Sequence, residues 1–279
     1  MQNWKLTLSY DGTAFNGWQV QPGFPTIQGE LQAALRRVLD LKWGEAPLPQ
    51  GSGRTDAGVH ALGQVASFVL DAPIPAENLH RALNRTLPAA IRVTECRTVA
   101  EAFHARHSAM AKTYEYRIFR GRMCTPFLAP YVHTCTWKLD LDELRKAAEE
   151  VVGKHDFVSL AASDADAAAR RIVDEEGDDV TAEPRSTAPM TVRTIFSCGW
   201  SEAPEELLIC RVRGNGFLHH MVRNLVGTML EIARGQFPAG SMGQILEARS
   251  RSAAGPTAPA KGLFLHSVDY PAEFDASIS

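Results

Sequence analysis

The chain holds no pair of cysteines at C-x-x-C spacing. Its five cysteines (Cys96, Cys124, Cys135, Cys198, Cys210) are odd in number and scattered over 279 residues. That pattern excludes a zinc ribbon or dithiol redox centre and fits reduced thiols in a cytoplasmic protein. There is no apolar run of membrane-spanning length. The opening residues, Met1-Gln2-Asn3-Trp4-Lys5-Leu6, lack the basic, apolar, small-residue order of a secretion signal. No Gly-Lys-Ser/Thr closes a glycine-rich loop, and G-x-G-x-x-G does not occur, so a nucleotide cofactor has no support. His219 and His220 are adjacent and expected on a helix, where neighbouring side chains diverge by about 100°. His104 and His107 also lack a helical ligand spacing, so neither a metal nor a cofactor is expected.

Excess charge is missing too. The formal net charge is −3, which gives no direct sign of a nucleic-acid partner. Between Ala161 and Met190 lie eight acidic residues and three arginines, −5 in all; taking −5 from −3 leaves +2 for the remainder. A near-neutral scaffold with local basic patches is compatible with RNA. Hydrophobic residues make up 45% of the chain, enough for a sizeable core in one large or two smaller domains.

The periodicities give an order of elements. Lys5–Tyr10 alternates as a strand, and Thr26 caps a helix with Ile27, Leu31, Ala34, Leu35, Val38 and Leu39 on its inner face. Gln64–Leu70 is a strand, Pro75 opens a helix carrying Leu79, Ala82 and Leu83, Pro88 closes it, and Ile91–Val99 is a further strand. The second half repeats the theme. Thr113–Phe119 is a strand with Tyr114, Tyr116 and Ile118 on one side. Asp140 and Glu143 form a capping box for a helix carrying Leu141, Leu144, Ala147, Ala148, Val151 and Val152, and Gly153 stops it. Thr191–Trp200 and Glu206–Arg213 form an antiparallel pair. A long amphipathic helix spans Gly216–Arg234, with Leu218, Val222, Leu225, Met229, Ile232 and Ala233 inward and His220, Arg223, Gly227 and Glu231 opposite. A short helix over Met242–Arg249 and a strand over Leu263–Val268 close the chain. The expected class is α+β, with two similar α/β halves of mixed or antiparallel sheet meeting at a central cleft. The expected domains are 1–108 and 109–279. Residues 161–190 read as a solvated or disordered acidic insertion, and Ser250–Ala260 as a flexible loop.

The run Gly51-Ser52-Gly53-Arg54-Thr55-Asp56-Ala57-Gly58-Val59-His60 carries the chemistry. Glycines let a backbone bend and approach a bulky ligand, and an extended segment aims Arg54 and Asp56 at the same face. A desolvated carboxylate rises by about 3–5 pKa units and goes neutral near pH 7, whereas a nearby guanidinium pulls it back by about 1–3. A nucleophilic Asp56 therefore needs a fixed cation; the residues offer Arg54 and leave Arg223 as a second candidate. Tyr114 is either core or a stacking platform for an unstacked base.

These pieces in this order resemble the tRNA pseudouridine synthase A family. The match rests on Tyr10-Asp11-Gly12, Gly17-Trp18-Gln19, Gly53 to His60, Phe103-His104-Ala105-Arg106, Lys112-Thr113-Tyr114, Asn215 to Asn224, and Gly262-Leu263. The insertion from Ala161 to Met190 departs from shorter members. The resemblance implies an isomerase that converts uridine to pseudouridine at positions 38–40 in the anticodon stem-loop. It further implies a cytoplasmic homodimer acting on tRNA, with neither DNA nor membrane as a partner. In this family pattern Asp56 is catalytic, Tyr114 stacks on the base, Arg223 pairs with the aspartate, Arg54 helps to expose the base, and Leu263 lines the pocket. Two other classes stay open: an RNA-binding module without chemistry, and a nucleoside hydrolase. The hydrolase normally needs a carboxylate pair, and the glycine loop supplies only one acid.

Overall fold

Trp4, Leu6, Leu8 and Tyr10 alternate with polar residues, and the period of two sends all four to one buried face of β1 (Gln2–Tyr10). That strand opens a computed structural model describing residues 1–42, 45–71, 74–162 and 190–274. It starts earlier than the alternation from Lys5 predicts, because its other face is covered as well. There the Asn3 amide donates to the Phe103 carbonyl (2.7 Å). The Lys5 ammonium lies 4.7 Å from the centre of the Tyr270 ring, a favourable cation–π contact.

In chain order there follow α1 (Ile27–Val38), β2 (Gln50–Gly51), β3 (His60–Leu70), α2 (Ala76–Thr86), β4 (Ile91–Val99) and β5 (Ala111–Phe119). Then come β6 (His133–Thr134), α3 (Leu141–Glu150), β7 (Gly153–Asp156), β8 (Val192–Ala203), β9 (Leu207–Gly214), α4 (Met221–Ala233), α5 (Met242–Glu247) and β10 (Leu263–Asp269). Mixed helix and strand of this kind is the expected α+β class. Among the described residues, no helix is long and apolar enough to cross a membrane.

The chain divides into two compact units, Met1–Glu115 with Ala260–Ser279, and Tyr116–Pro259; β5 spans the division. In the first unit the strand order is β4-β1-β3-β10-β5, with β2 on β3. Strand β1 is antiparallel to both neighbours, whereas β10 runs parallel to β3, Phe264 opposite His60. One face of this sheet carries α2 packed on β4 and α1 packed on α2. The Thr26 hydroxyl accepts from Gly29 N at the start of α1, and Ile27, Leu31, Ala34 and Leu35 are buried as their spacing predicts. Over the other face lie Val65, Val99, Phe103 and Ala105, with Val268, Tyr270 and Phe274 against them.

In the second unit the order is β5-β9-β8-β7, with β6 on β5, and α3 packs against α4 and β8. Three expectations change here. Helix α4 starts at Met221 rather than Gly216. Asn215 is tied to β8 through its backbone N to Thr194 O (3.0 Å) and its side-chain oxygen to Thr194 N (2.9 Å), and His220 takes a left-handed φ of 59°. Nor is the outer face of α4 open along its length: Gly227 and Thr228, on and beside it, are buried with the apolar stripe, while Arg223 and Glu231 are not. The stretch Ser250–Ala260 is also pinned rather than loose. The Arg251 guanidinium donates to the Gly255 carbonyl (2.9 Å), Gly255 N donates to the Thr228 hydroxyl (3.0 Å), and Ala258 N to the Arg223 carbonyl (3.1 Å). The acidic insertion expected at 161–190 lies, apart from its ends, outside the described residues.

Candidate active site

The run from Gly51 to His60 is clamped between β3 and the segment after β1. Ser52 N donates to Val65 O (2.7 Å), continuing the short pairing of β2 with β3. The Thr55 side chain turns inward, 5% exposed, and its hydroxyl meets the Tyr10 hydroxyl at 2.8 Å. Its neighbours Arg54 and Asp56 are half-buried. Behind Thr55 stands Gly17, with φ +84°; a Cβ there would be 2.4 Å from the Thr55 carbonyl oxygen. Glycine alone permits that approach, and it lets Trp18 N donate to the same oxygen (3.0 Å). Beyond Thr55 the Asp56 carbonyl accepts from Val59 N (3.1 Å), closing a turn whose third residue, Gly58, has φ +75°. A positive φ at that position is what a type II turn demands.

Four of the predicted site residues belong to the first unit. Arg54 and Asp56 share the loop. Leu263, 5% exposed, opens β10 beside the point where the loop enters β3, and the next ring, Phe264, stacks on His60 at 4.7 Å. His60 in turn accepts from Gly12 N through Nδ1 (3.0 Å), with the Asp11 carboxylate 3.2 Å from the same atom. Tyr114, 8% exposed, lies on β5, the neighbour of β10. Two residues earlier, Lys112 donates its ammonium to the Ser52 carbonyl, which ties the Tyr114 strand to the Asp56 loop.

Arg223 belongs to the second unit, in the first turn of α4. Its Nε donates to the Ala258 carbonyl (2.8 Å), while the next carbonyl, of Pro259, accepts from the Tyr116 hydroxyl (2.8 Å). Burial pushes the Tyr116 phenol above its ordinary range, and the Arg223 charge partly offsets that shift. His219 and His220 precede the helix rather than ride on it, their ring centroids 3.9 Å apart.

Sequence reasoning missed the polar groups that hold the loop. Ser52, Gln64 and Tyr10 are buried and mutually bonded. Their signal was weak: a glutamine at a core position of a mostly apolar strand.

A family model described as tRNA pseudouridine synthase matches residues 7–108 and 147–271. Those stretches include Arg54, Asp56, Arg223 and Leu263; Tyr114 falls between them. The tRNA pseudouridine synthase A of Solibacter usitatus is 47% identical over 270 residues, spanning 97% of this chain and 100% of its own length. Its namesake from Lacticaseibacillus casei is 41% identical over 271 residues (97% and 100%). That from Bacillus subtilis is 38% identical over 266 residues (95% and 98%). A family model matching most of the chain, with relatives similar over nearly their whole length, means that the chain belongs to the tRNA pseudouridine synthase family and is an isomerase acting on tRNA.

Proposed function

We propose that this chain isomerises uridine to pseudouridine at positions 38–40 in the anticodon stem-loop of tRNA, with Asp56 as the catalytic carboxylate. In this reaction the bond from uracil N1 to ribose C1′ breaks, the base turns, and C5 bonds to C1′. A proton leaves C5 and one is taken up at N1, so no electron is exchanged with a partner. Ionised Asp56 assists at the ribose–base junction. Unstacking the uridine costs a few kcal/mol, and a face of Tyr114 returns about 1–3 kcal/mol by stacking. Leu263 lines the base pocket, Arg54 keeps the base exposed, and Arg223 is the cation assigned to the carboxylate. The enzyme works in this reading as a cytoplasmic homodimer.

The observation that carries the proposal is the fixed placement of Asp56. A half-buried carboxylate sits at the head of a turn anchored by Trp18 N, Gly58 N and Val59 N, each donating to a backbone carbonyl within 3.2 Å. Such anchoring holds a reactive group in place before substrate arrives. The test uses unmodified tRNA carrying tritium at uracil C5. Wild-type protein releases tritium and leaves pseudouridine in the anticodon stem-loop. Asp56→Asn is expected to lower that rate by at least about a thousandfold, with tRNA binding kept within a few-fold. Wild-type release by Asp56→Asn would remove the aspartate from the mechanism. Binding without release by wild type would instead leave an RNA-binding module, and free uracil a hydrolase. Light scattering at the mass of two chains supports the dimer, and that of one chain refutes it.

A further inference from the structure

Gln64 is 0% exposed on β3 and cannot reach substrate, yet its amide meets four groups around the catalytic loop. Its nitrogen donates to the Gly53 carbonyl (2.8 Å) and, at 3.4 Å, to the Tyr10 hydroxyl. Its oxygen accepts from the Ser52 hydroxyl (2.7 Å) and from Val65 N (3.2 Å). The Tyr10 hydroxyl continues the chain to Thr55 (2.8 Å), the residue between Arg54 and Asp56. One side chain therefore fixes the loop at Ser52 and Gly53 directly and at Thr55 through Tyr10.

The partners also fix which way the amide faces. Ser52 and Val65 offer donors to its oxygen, and Gly53 offers an acceptor to its nitrogen. Of side chains this size, only one with both a donor and an acceptor at its end satisfies both sides. A methionine satisfies neither, and an ionised glutamate confronts the Gly53 carbonyl with a second acceptor. We infer that Gln64 is a positioning residue for the isomerisation, its amide setting where Arg54 and Asp56 stand. The inference rests on the assignment of Asp56 above.

The discriminating feature is protonation. A glutamate buried here has its pKa raised by desolvation, and its neutral acid donates to Gly53 while accepting from Ser52. The ionisable groups around the amide are the Tyr10 phenol, the Tyr270 phenol beside Ser52, and the Lys112 ammonium on the Ser52 carbonyl. Burial raises both phenols, so neither ionises between about pH 6 and 8.5.

Single-turnover and steady-state pseudouridine formation on tRNA transcripts test the inference in the full chain. Gln64→Met is expected to lower kcat by about 10–100-fold, as displacement of a catalytic group does, with KM for tRNA within about twofold and a cooperative melt retained. Gln64→Glu matches Gln64→Met near pH 8.5 but recovers at least about fivefold relative to it near pH 6. Wild-type kcat in Gln64→Met, or one pH profile for both variants, overturns the role. Should Gln64→Met not fold, Tyr10→Phe carries the test by removing the hydroxyl that joins the Gln64 amide to Thr55. It is expected to lower kcat by about 3–10-fold at unchanged KM, and unchanged kcat overturns the inference. A silent wild type overturns the assigned reaction and the inference with it. An active wild type with an equally active Gln64→Met overturns the positioning role alone.

Discussion

Tyr10 meets Thr55 with a hydroxyl that water does not reach, and burial pushes its phenol up to about 12. The bonds to Thr55 and Gln64 pull the other way, but less. In the unfolded chain the phenol ionises near its ordinary value of about 10. Between the two values the folded state holds a proton that the unfolded state has lost. The stability from this group is therefore whole below about pH 10 and is lost as pH rises through about 12, a difference of about 3 kcal/mol. Burial shifts Tyr116 and Tyr270 the same way, so alkali acts on several sites at once. We expect the urea midpoint to fall steeply between about pH 10 and 12, with a smaller fall in Tyr10→Phe; an equal fall in both proteins removes Tyr10 from the account. At this scale the proposed Asp56 and Arg54 were visible in the sequence as candidates, since they stand in one local run with its glycines. Their supports were not. Tyr10 lies 45 residues before Thr55, and no local period links a hydroxyl on one strand to a loop on another.

Helix α3 shows how an element is read correctly and then altered by its neighbours. Asp140 caps it as the sequence predicts, accepting from Asp142 N (2.9 Å) and Glu143 N (3.2 Å). The reciprocal half of the capping box is absent. Asp140 N donates instead to Ala233 O (2.9 Å) at the end of α4, and Glu143 turns to Lys146 (2.8 Å). Asp140→Ala should cost about 1 kcal/mol in urea unfolding and Asp140→Asn only a few tenths; equal losses would mean that charge, not the acceptor, holds the cap. The stretch Ser250–Ala260 makes the complementary point. Its composition reads as loose, but the side-chain oxygen of Asn224 accepts from Thr257 (2.6 Å) and Arg251 (3.2 Å). Order there is supplied by a buried polar group on α4, which no count of small residues along the loop reveals. The late start of α4 has the same origin, since Asn215 is engaged by β8 before a helical turn can form.

Across the whole molecule, the last strand returns to the first unit. Strand β10 lies between β3 and β5, and Leu263, Phe264 and Leu265 on it are buried. Val268, Tyr270 and Phe274 then cover the Val65–Phe103 cluster. Linear reading finds the strand from its apolar run but not its destination, because nothing local specifies which edge receives it. At about 1.5–3 kcal/mol for each buried apolar side chain, Leu263, Phe264 and Leu265 alone contribute about 4.5–9 kcal/mol. That is comparable with the about 5–15 kcal/mol that separates a folded domain from its unfolded chain. A fragment of residues 1–115 lacks this burial and leaves β3 with an open edge, the usual route to intermolecular pairing. Such a fragment is expected to aggregate, or to melt without a cooperative transition by circular dichroism. Joining residues 260–274 to it through a short glycine–serine linker should restore a cooperative melt. A bare 1–115 fragment with the same urea midpoint as the joined one would show that the returning strand adds nothing to the first unit, and that its packing against β3 is a consequence of folding rather than a condition for it.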